Sequence, residues 1–223
     1  MASGSLIRSF SAVLFDLDGT LVDTAPDLAF ALNTLMEEEG LHKLAYETIR
    51  PVASNGSLGL LQLGFGISAQ HEDFALLQQR FIKLYQQNIA RQTQLFDGME
   101  AVLASIEKAK ISWGIVTNKP AFLTDPLLDL LNLTQRAGCI VSGDTTPFSK
   151  PHPAPMFYAC KLLNQLPEQC LYIGDAARDI EAGKNANMQT IAALYGYIAK
   201  DDNPDDWLAD TSIEDPCDIL QWL

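Results

Sequence analysis

From about residue 102 onward, short apolar runs alternate with stretches of helical periodicity, and this alternation limits the possible folds more than any other feature of the chain. Val102, Leu103 and Ile106 mark a helix, and Trp113, Gly114, Ile115 and Val116 a strand. Leu123, Leu127, Leu128 and Leu131 mark the next helix, followed by a strand at Cys139, Ile140 and Val141. Met156, Ala159, Cys160 and Leu163 share a helical face, Leu171, Tyr172 and Ile173 form a strand, and residues 179–187 carry a helix before a strand over 190–193. Strands separated by helices of this length predict a parallel sheet with helices on both faces.

An earlier apolar run, Ala12, Val13, Leu14 and Phe15, adds a strand that ends in Asp16, Leu17, Asp18, Gly19 and Thr20. Gly and Thr directly after such a run indicate a tight turn at the strand's carboxyl end. In an open parallel sheet, that edge is where ligands bind. Two carboxylates in a buried cleft repel each other and are costly unless compensated. A hard divalent cation with oxygen ligands compensates them, and Mg²⁺ takes only one or two carboxylates together with substrate phosphate. The alternative for this segment alone is a solvated Asp-X-Asp-Gly turn.

Between these regions, Asp23 or Thr24 reads as a helix N-cap, with Pro26 near the first turn and Leu28, Leu32, Leu35 and Met36 on one face before Gly40. A Gly-containing turn is expected at Asn55, Gly56, Ser57, Leu58 and Gly59, then a helix through Phe74, Leu77, Phe81, Leu84 and Tyr85. No strand is predicted over 23–95. The expected organisation is an α/β core, a Rossmann-like doubly wound parallel sheet formed by residues 1–22 and 96–223, with a helical cap inserted over 23–95.

The formal net charge is −13, from 15 Lys and Arg against 28 Asp and Glu. That balance disfavours nucleic acid and anionic membranes as partners. An anionic substrate must instead be drawn in by local positive charge: a metal ion, Lys119, Lys150 or helix N-termini. Cys139, Cys160, Cys170 and Cys217 contain no Cys-X-X-Cys pair, and His42, His71 and His152 lack metal-ligand spacing, so neither disulfides nor zinc are expected. Residues 1–8 lack the apolar region of a signal peptide, and no apolar run approaches 18 residues. A cytoplasmic protein, monomer or homodimer, is the expectation.

Polar groups suited to phosphate chemistry recur at the remaining strand ends. One strand ends in Thr117, Asn118 and Lys119; Ser149, Lys150 and Pro151 follow another; the next ends in Gly174 and Asp175, with Asp179 four residues on. Each has a simpler reading. Thr117 and Asn118 could cap a helix, Lys150 could be a surface lysine, and Asp175 and Asp179 could favour a helix N-terminus.

Taken in this order, Asp16-X-Asp18-Gly19-Thr20, Thr117, Lys150 and Gly174-Asp175-X-X-X-Asp179 resemble the four motifs of haloacid dehalogenase superfamily phosphatases. The resemblance implies that Asp16 is a nucleophile forming an aspartyl-phosphate and that Asp18 is a general acid and base. It further implies Mg²⁺ held by Asp16, Asp175 and the backbone carbonyl of Asp18. Thr117 and the Asn118 backbone amide would bind the phosphoryl group, Lys150 would neutralise charge, and Asp179 would orient Lys150 or a metal-bound water. Ala176 departs from the pattern, since many relatives carry a hydroxyl there.

Asp18 disfavours dehalogenation, which needs no leaving-group proton. Lys43 and Lys83, the only lysines of the cap segment, sit in no context that suggests phosphonate hydrolysis. Within the superfamily the resemblance is greatest to phosphoglycolate phosphatases, through the cap and the segment Val116, Thr117, Asn118, Lys119, Pro120. Tyr195, Gly196 and Tyr197 with Asp202, Asn203 and Pro204 resemble a branch acting on N-acetylmuramic acid 6-phosphate, and a sugar phosphomutase remains an alternative. The partner implied is a small phosphorylated metabolite, with Asn55, Gly56 and Ser57 as candidates for reaching the leaving group. A reading of a different class is a phospho-acceptor signalling domain, which lacks the Asp-X-Asp-Gly-Thr pattern and the insertion.

Overall fold

The computed structural model describes residues 10–223; the N-terminal residues 1–8, read above for a targeting segment, lie outside them. Strand β1 (Ala12–Phe15) stands near the middle of a six-stranded parallel sheet. On one side lie β4 (Ser112–Val116) and then β5 (Cys139–Val141). On the other lie β6 (Cys170–Gly174), β7 (Gln189–Ala193) and β8 (Thr211–Ile213). The chain builds outward from β1 in one direction and then crosses back to the other, which makes the carboxyl end of β1 the switch point of the sheet.

The residues of β1 explain why its run is continuously apolar. Val13 and Phe15 enter one buried cluster, with Leu103 of α5 (Met99–Lys108) and Leu127 of α6 (Ala121–Leu130). Ala12 and Leu14 enter another, with Met156 of α7 (Ala154–Leu163) and Ala182 of α8 (Ala177–Asn185). A strand covered on both faces has no polar side, so alternation disappears from its sequence.

The segment after β1 is helical, but not throughout. Strand β2 (Val22–Asp23) pairs antiparallel with β3 (Gln94–Leu95), forming a two-stranded ribbon at the point where the chain leaves and re-enters the sheet region. This corrects the expectation that no strand occurs over 23–95; two residues are too few to display a period. Between them lie α1 (Ala25–Glu38), α2 (Tyr46–Ile49), α3 (Gly56–Phe65) and α4 (Phe74–Gln87). Thr24 is the residue preceding α1, yet its hydroxyl does not cap the helix. The turn expected at Asn55, Gly56 and Ser57 is instead a helical junction. A 3₁₀ segment, Arg50–Asn55, runs directly into α3, and the joint is made by Gly56 at φ +58° and ψ −154°. That conformation favours glycine. β8 was also not foreseen, because its outer position removes the apolar run by which a central strand is read.

Candidate active site

Strand register brings the polar residues to one edge. Phe15 pairs with Ile115 on one side and Ile173 on the other, so Asp16 emerges beside the ends of β4 and β6. Its backbone N–H donates to the Ile173 carbonyl at 2.9 Å, and the Thr117 N–H donates to Val141 at 2.9 Å, which extends the ladder to the residues that matter. Thr117, Lys150, Asp175 and Asp179 are all buried at this edge.

Lys150 is the hub. Its Nζ lies 2.7 Å from Asp16 Oδ1 and 2.7 Å from Asp179 Oδ1, and donates to the Val116 carbonyl at 2.8 Å and to the Tyr172 hydroxyl at 2.9 Å. Asn118 fixes the lysine's backbone: its Oδ1 accepts from Lys150 N–H at 3.0 Å and its Nδ2 donates to Lys150 O at 2.9 Å. Asp175 Oδ2 accepts from the Tyr197 N–H at 2.8 Å and from the Ser54 hydroxyl at 2.9 Å, and Oδ1 accepts from Thr20 at 3.2 Å. Gly19, at φ +90°, leaves room for this carboxylate; a Cβ there would stand 2.1 Å from Asp175 Oδ2.

Asp18 faces a different group of residues. Its Oδ1 accepts from Thr24 at 2.6 Å and from Lys119 Nζ at 2.8 Å, and the same ammonium donates to the Tyr85 hydroxyl on α4 at 2.9 Å. The Thr24 hydroxyl is thus occupied by Asp18, which is why it leaves the helix uncapped. Ser54 and Tyr85 therefore join the helical insertion to the sheet edge, and both line one cavity. That cavity measures about 620 Å³, and Asn55, Gly56 and Ser57 line it together with Asp16 and Asp18.

Oxygen atoms of Asp16, Asp175 and Asp179 all lie within 4.8 Å of one another. Burial pushes Asp16 up to about 6, against the pull of Lys150 and helped by the Asp179 charge. Burial, then the charges of Asp16 and Asp179, push Asp175 up to about 7, although the Tyr197 and Ser54 hydrogen bonds draw it down. At Lys150 burial opposes the charged form, but the Asp16 and Asp179 carboxylates outweigh it and hold the ammonium above the usual lysine range. One buried ammonium, with the Arg178 guanidinium near enough to feel the same charges, faces three buried carboxylates; the set of hard oxygens keeps surplus negative charge, and a divalent cation fits it.

The haloacid dehalogenase-like hydrolase family model matches residues 13–193, the span holding every group described above except the Tyr197 amide. The chain belongs to that family. It is 40% identical over 208 residues to an N-acetylmuramic acid 6-phosphate phosphatase of Pseudomonas putida, covering 93% of each chain. It is 43% identical over 208 residues to a phosphoglycolate phosphatase of Xanthomonas campestris pv. campestris, covering 92% of each. The crystal structure of a predicted phosphoglycolate phosphatase from Haemophilus somnus 129PT superposes with a TM-score of 0.84 at 27% identity, over 96% of this chain and 97% of that one. As a haloacid dehalogenase-like hydrolase it is an enzyme with a parallel α/β core. No helix among its described residues is long and apolar enough to cross a membrane.

Several residues of this family member escaped the sequence reading. Tyr85 and Tyr172 sit at positions that periodicity assigns to packing, and both prove to carry a hydroxyl into the site. Ser54 and Arg178 carry no local signal; only the fold brings the arginine's guanidinium to the Ser54 carbonyl, at 2.7 Å. The carboxylate of Asp18 stands apart from the three-carboxylate cluster, and Asp179 belongs to it.

Proposed function

We propose that this chain hydrolyses small phosphate monoesters through a phosphorylated Asp16, and that residues 23–95 act as a cap over a core made by 1–22 and 96–223. The observation that carries the reading is the pairing of Asp16 with the buried Lys150, 2.7 Å away, beside two further buried carboxylates. A carboxylate held at a strand end, opposite an ammonium, is positioned to attack phosphorus while the charge on the phosphoryl oxygens is neutralised. Phosphoryl transfer needs little from a protein beyond positioning and charge.

In the first step the Asp16 oxygen bonds to phosphorus, the bond to the leaving oxygen breaks, and Asp18 supplies that oxygen's proton. Lys119 and Thr24 hold Asp18 Oδ1, which leaves Oδ2 as the oxygen for proton transfer. In the second step Asp18 takes a proton from water as the water attacks phosphorus, which frees phosphate and restores Asp16. Thr117 and the Asn118 backbone N–H bind phosphoryl oxygens, and Asp179 keeps Lys150 aimed at Asp16. Mg²⁺ would be held by Asp16, Asp175 and the backbone carbonyl of Asp18, and would supply electrophilic neutralisation of the phosphoryl oxygens.

Similarity to phosphoglycolate phosphatases makes phosphoglycolate the first substrate to try. The cavity of about 620 Å³ is large for a two-carbon acid and favours a second reading, a sugar-sized leaving group such as that of N-acetylmuramic acid 6-phosphate. The test is turnover of p-nitrophenyl phosphate and a panel of small phosphate monoesters, with Mg²⁺ and with EDTA. Mg²⁺-dependent release of phosphate is expected. Undiminished turnover in EDTA would remove the metal assignment, and no turnover of any phosphate ester would remove the reading itself.

A further inference from the structure

Among the described residues, three cations line the cavity, Lys119, Lys150 and Arg178. Two are already matched to carboxylates: Lys119 to Asp18, and Lys150 to Asp16 and Asp179. Arg178 makes no ion pair among the described residues. Its one hydrogen bond there runs from an Nη to the Ser54 carbonyl at 2.7 Å, so most donors of a planar, five-donor fork remain unspent. A half-buried guanidinium in this state, inside a cavity, is suited to a bidentate oxyanion.

Its position shows which oxyanion. Arg178 stands in the first turn of α8, between Asp175 and Asp179, and reaches across to Ser54, whose neighbour Asn55 lines the cavity. It therefore lies at the seam between the sheet edge and the helical insertion. A phosphoryl group attacked by Asp16 has Lys150 and Thr117 beside it, so its charge is met at the sheet edge, and its leaving group projects toward the insertion. A second anionic group on that leaving group would meet Arg178.

We propose that Arg178 binds a carboxylate carried by the leaving group, so that the substrates this chain selects are phosphate monoesters that are also carboxylic acids. The two relatives described above are named for phosphoglycolate and N-acetylmuramic acid 6-phosphate, and both are acids. The inference rests on the phosphatase reading and adds to it a specificity-determining residue.

The test compares each acid with a neutral counterpart: 2-phosphoglycolate against 2-hydroxyethyl phosphate, and N-acetylmuramic acid 6-phosphate against N-acetylglucosamine 6-phosphate. Wild-type turnover of p-nitrophenyl phosphate checks the phosphatase reading separately. For at least one pair, wild-type kcat/KM should favour the acid by on the order of 10- to 100-fold, the usual effect of a hydrogen bond to a charged group. In Arg178→Gln that ratio should fall close to one, and Arg178→Lys should recover part of it, because a point charge survives while the fork is lost. The ratio is insensitive to a general loosening of the Ser54 contact, which would slow both members of a pair alike. An equal loss for acid and neutral substrate would assign Arg178 to the phosphoryl group or to cap closure and overturn the proposal. So would a wild type that turns over p-nitrophenyl phosphate but favours neither acid.

Discussion

Replacing Lys150 with methionine removes one ammonium shared by four buried groups, the carboxylates of Asp16 and Asp179, the Val116 carbonyl and the Tyr172 hydroxyl, all 2.7 to 2.9 Å from Nζ; the Tyr172 hydroxyl still donates to the Val116 carbonyl at 3.0 Å, so the two carboxylates bear the loss. Lys150 itself is 3% exposed, so water reaches its partners only from the cavity that it lines. Breaking a buried ion pair from one side typically costs ~3–5 kcal/mol. With a urea m value of about 2 kcal/mol/M, a loss of ~4 kcal/mol lowers the unfolding midpoint of the metal-free protein by about 2 M.

The pH dependence of this loss has a fixed sign. The lysine's folded pKa is raised, so its pairing contributes fully below its unfolded pKa of about 10.5. Asp16 is charged only above about 6 in the wild type, and its pKa lies higher still in the variant, where the pull of Lys150 is gone. The difference between wild type and Lys150→Met should therefore be largest between pH 7 and 10 and shrink toward pH 5, where protonation of Asp16 removes one stranded charge. Urea titrations of both proteins at pH 5 and pH 8 measure it. A midpoint shift below about 0.3 M at pH 8, which corresponds to under ~1 kcal/mol, or a shift that grows toward pH 5, would refute the reasoning.

Asp18→Asn should lower kcat/KM, which reports the first step, by about 10²–10⁴-fold for an alkyl phosphate, the range of a general acid, and less for p-nitrophenyl phosphate, because its leaving group needs no proton; equal losses in kcat/KM would contradict the assignment. Raised from 3.8 to about 6 and about 7, Asp16 and Asp175 progressively destabilise the metal-free fold as pH climbs above 4, by up to ~3 and ~4 kcal/mol taken singly. Mg²⁺ should accordingly raise the melting temperature more at pH 7.5 than at pH 5.5; equal shifts would argue against binding at these carboxylates. Substituting Asn55 or Ser57 should reorder turnover of phosphoglycolate and a sugar phosphate, whereas an unchanged ranking across a substrate panel would place specificity elsewhere.

The central strands were legible because burial on both faces turns β1, β4 and β6 into unbroken apolar runs, and the strand-end residues were legible because a parallel sheet gathers such ends at one edge. The two-residue strands β2 and β3 and the outer strand β8 lack that signature. In the site, Asp16, Lys150, Asp175 and Asp179 share a buried edge, and their spacing already implied such an edge. The connections between the two halves of the chain were illegible. Ser54 meets Asp175 and Tyr85 meets Lys119 across 121 and 34 residues, and neither a lone serine nor a tyrosine at a packing position indicates its partner. Asn118 illustrates the same limit: its side chain is spent on the Lys150 backbone, a service that no local pattern reveals.

The most direct test of the account is the mass of the Asp18→Asn protein mixed with substrate and quenched in acid. That variant keeps the nucleophile but has lost the base for the second step, so with p-nitrophenyl phosphate and Mg²⁺ a fraction should gain the mass of one phosphoryl group, mapped by peptide analysis to Asp16. Asp16→Asn should gain none. A phosphoryl group on any other residue, or phosphate release by Asp16→Asn at the wild-type rate, would contradict the claim that Asp16 is the nucleophile.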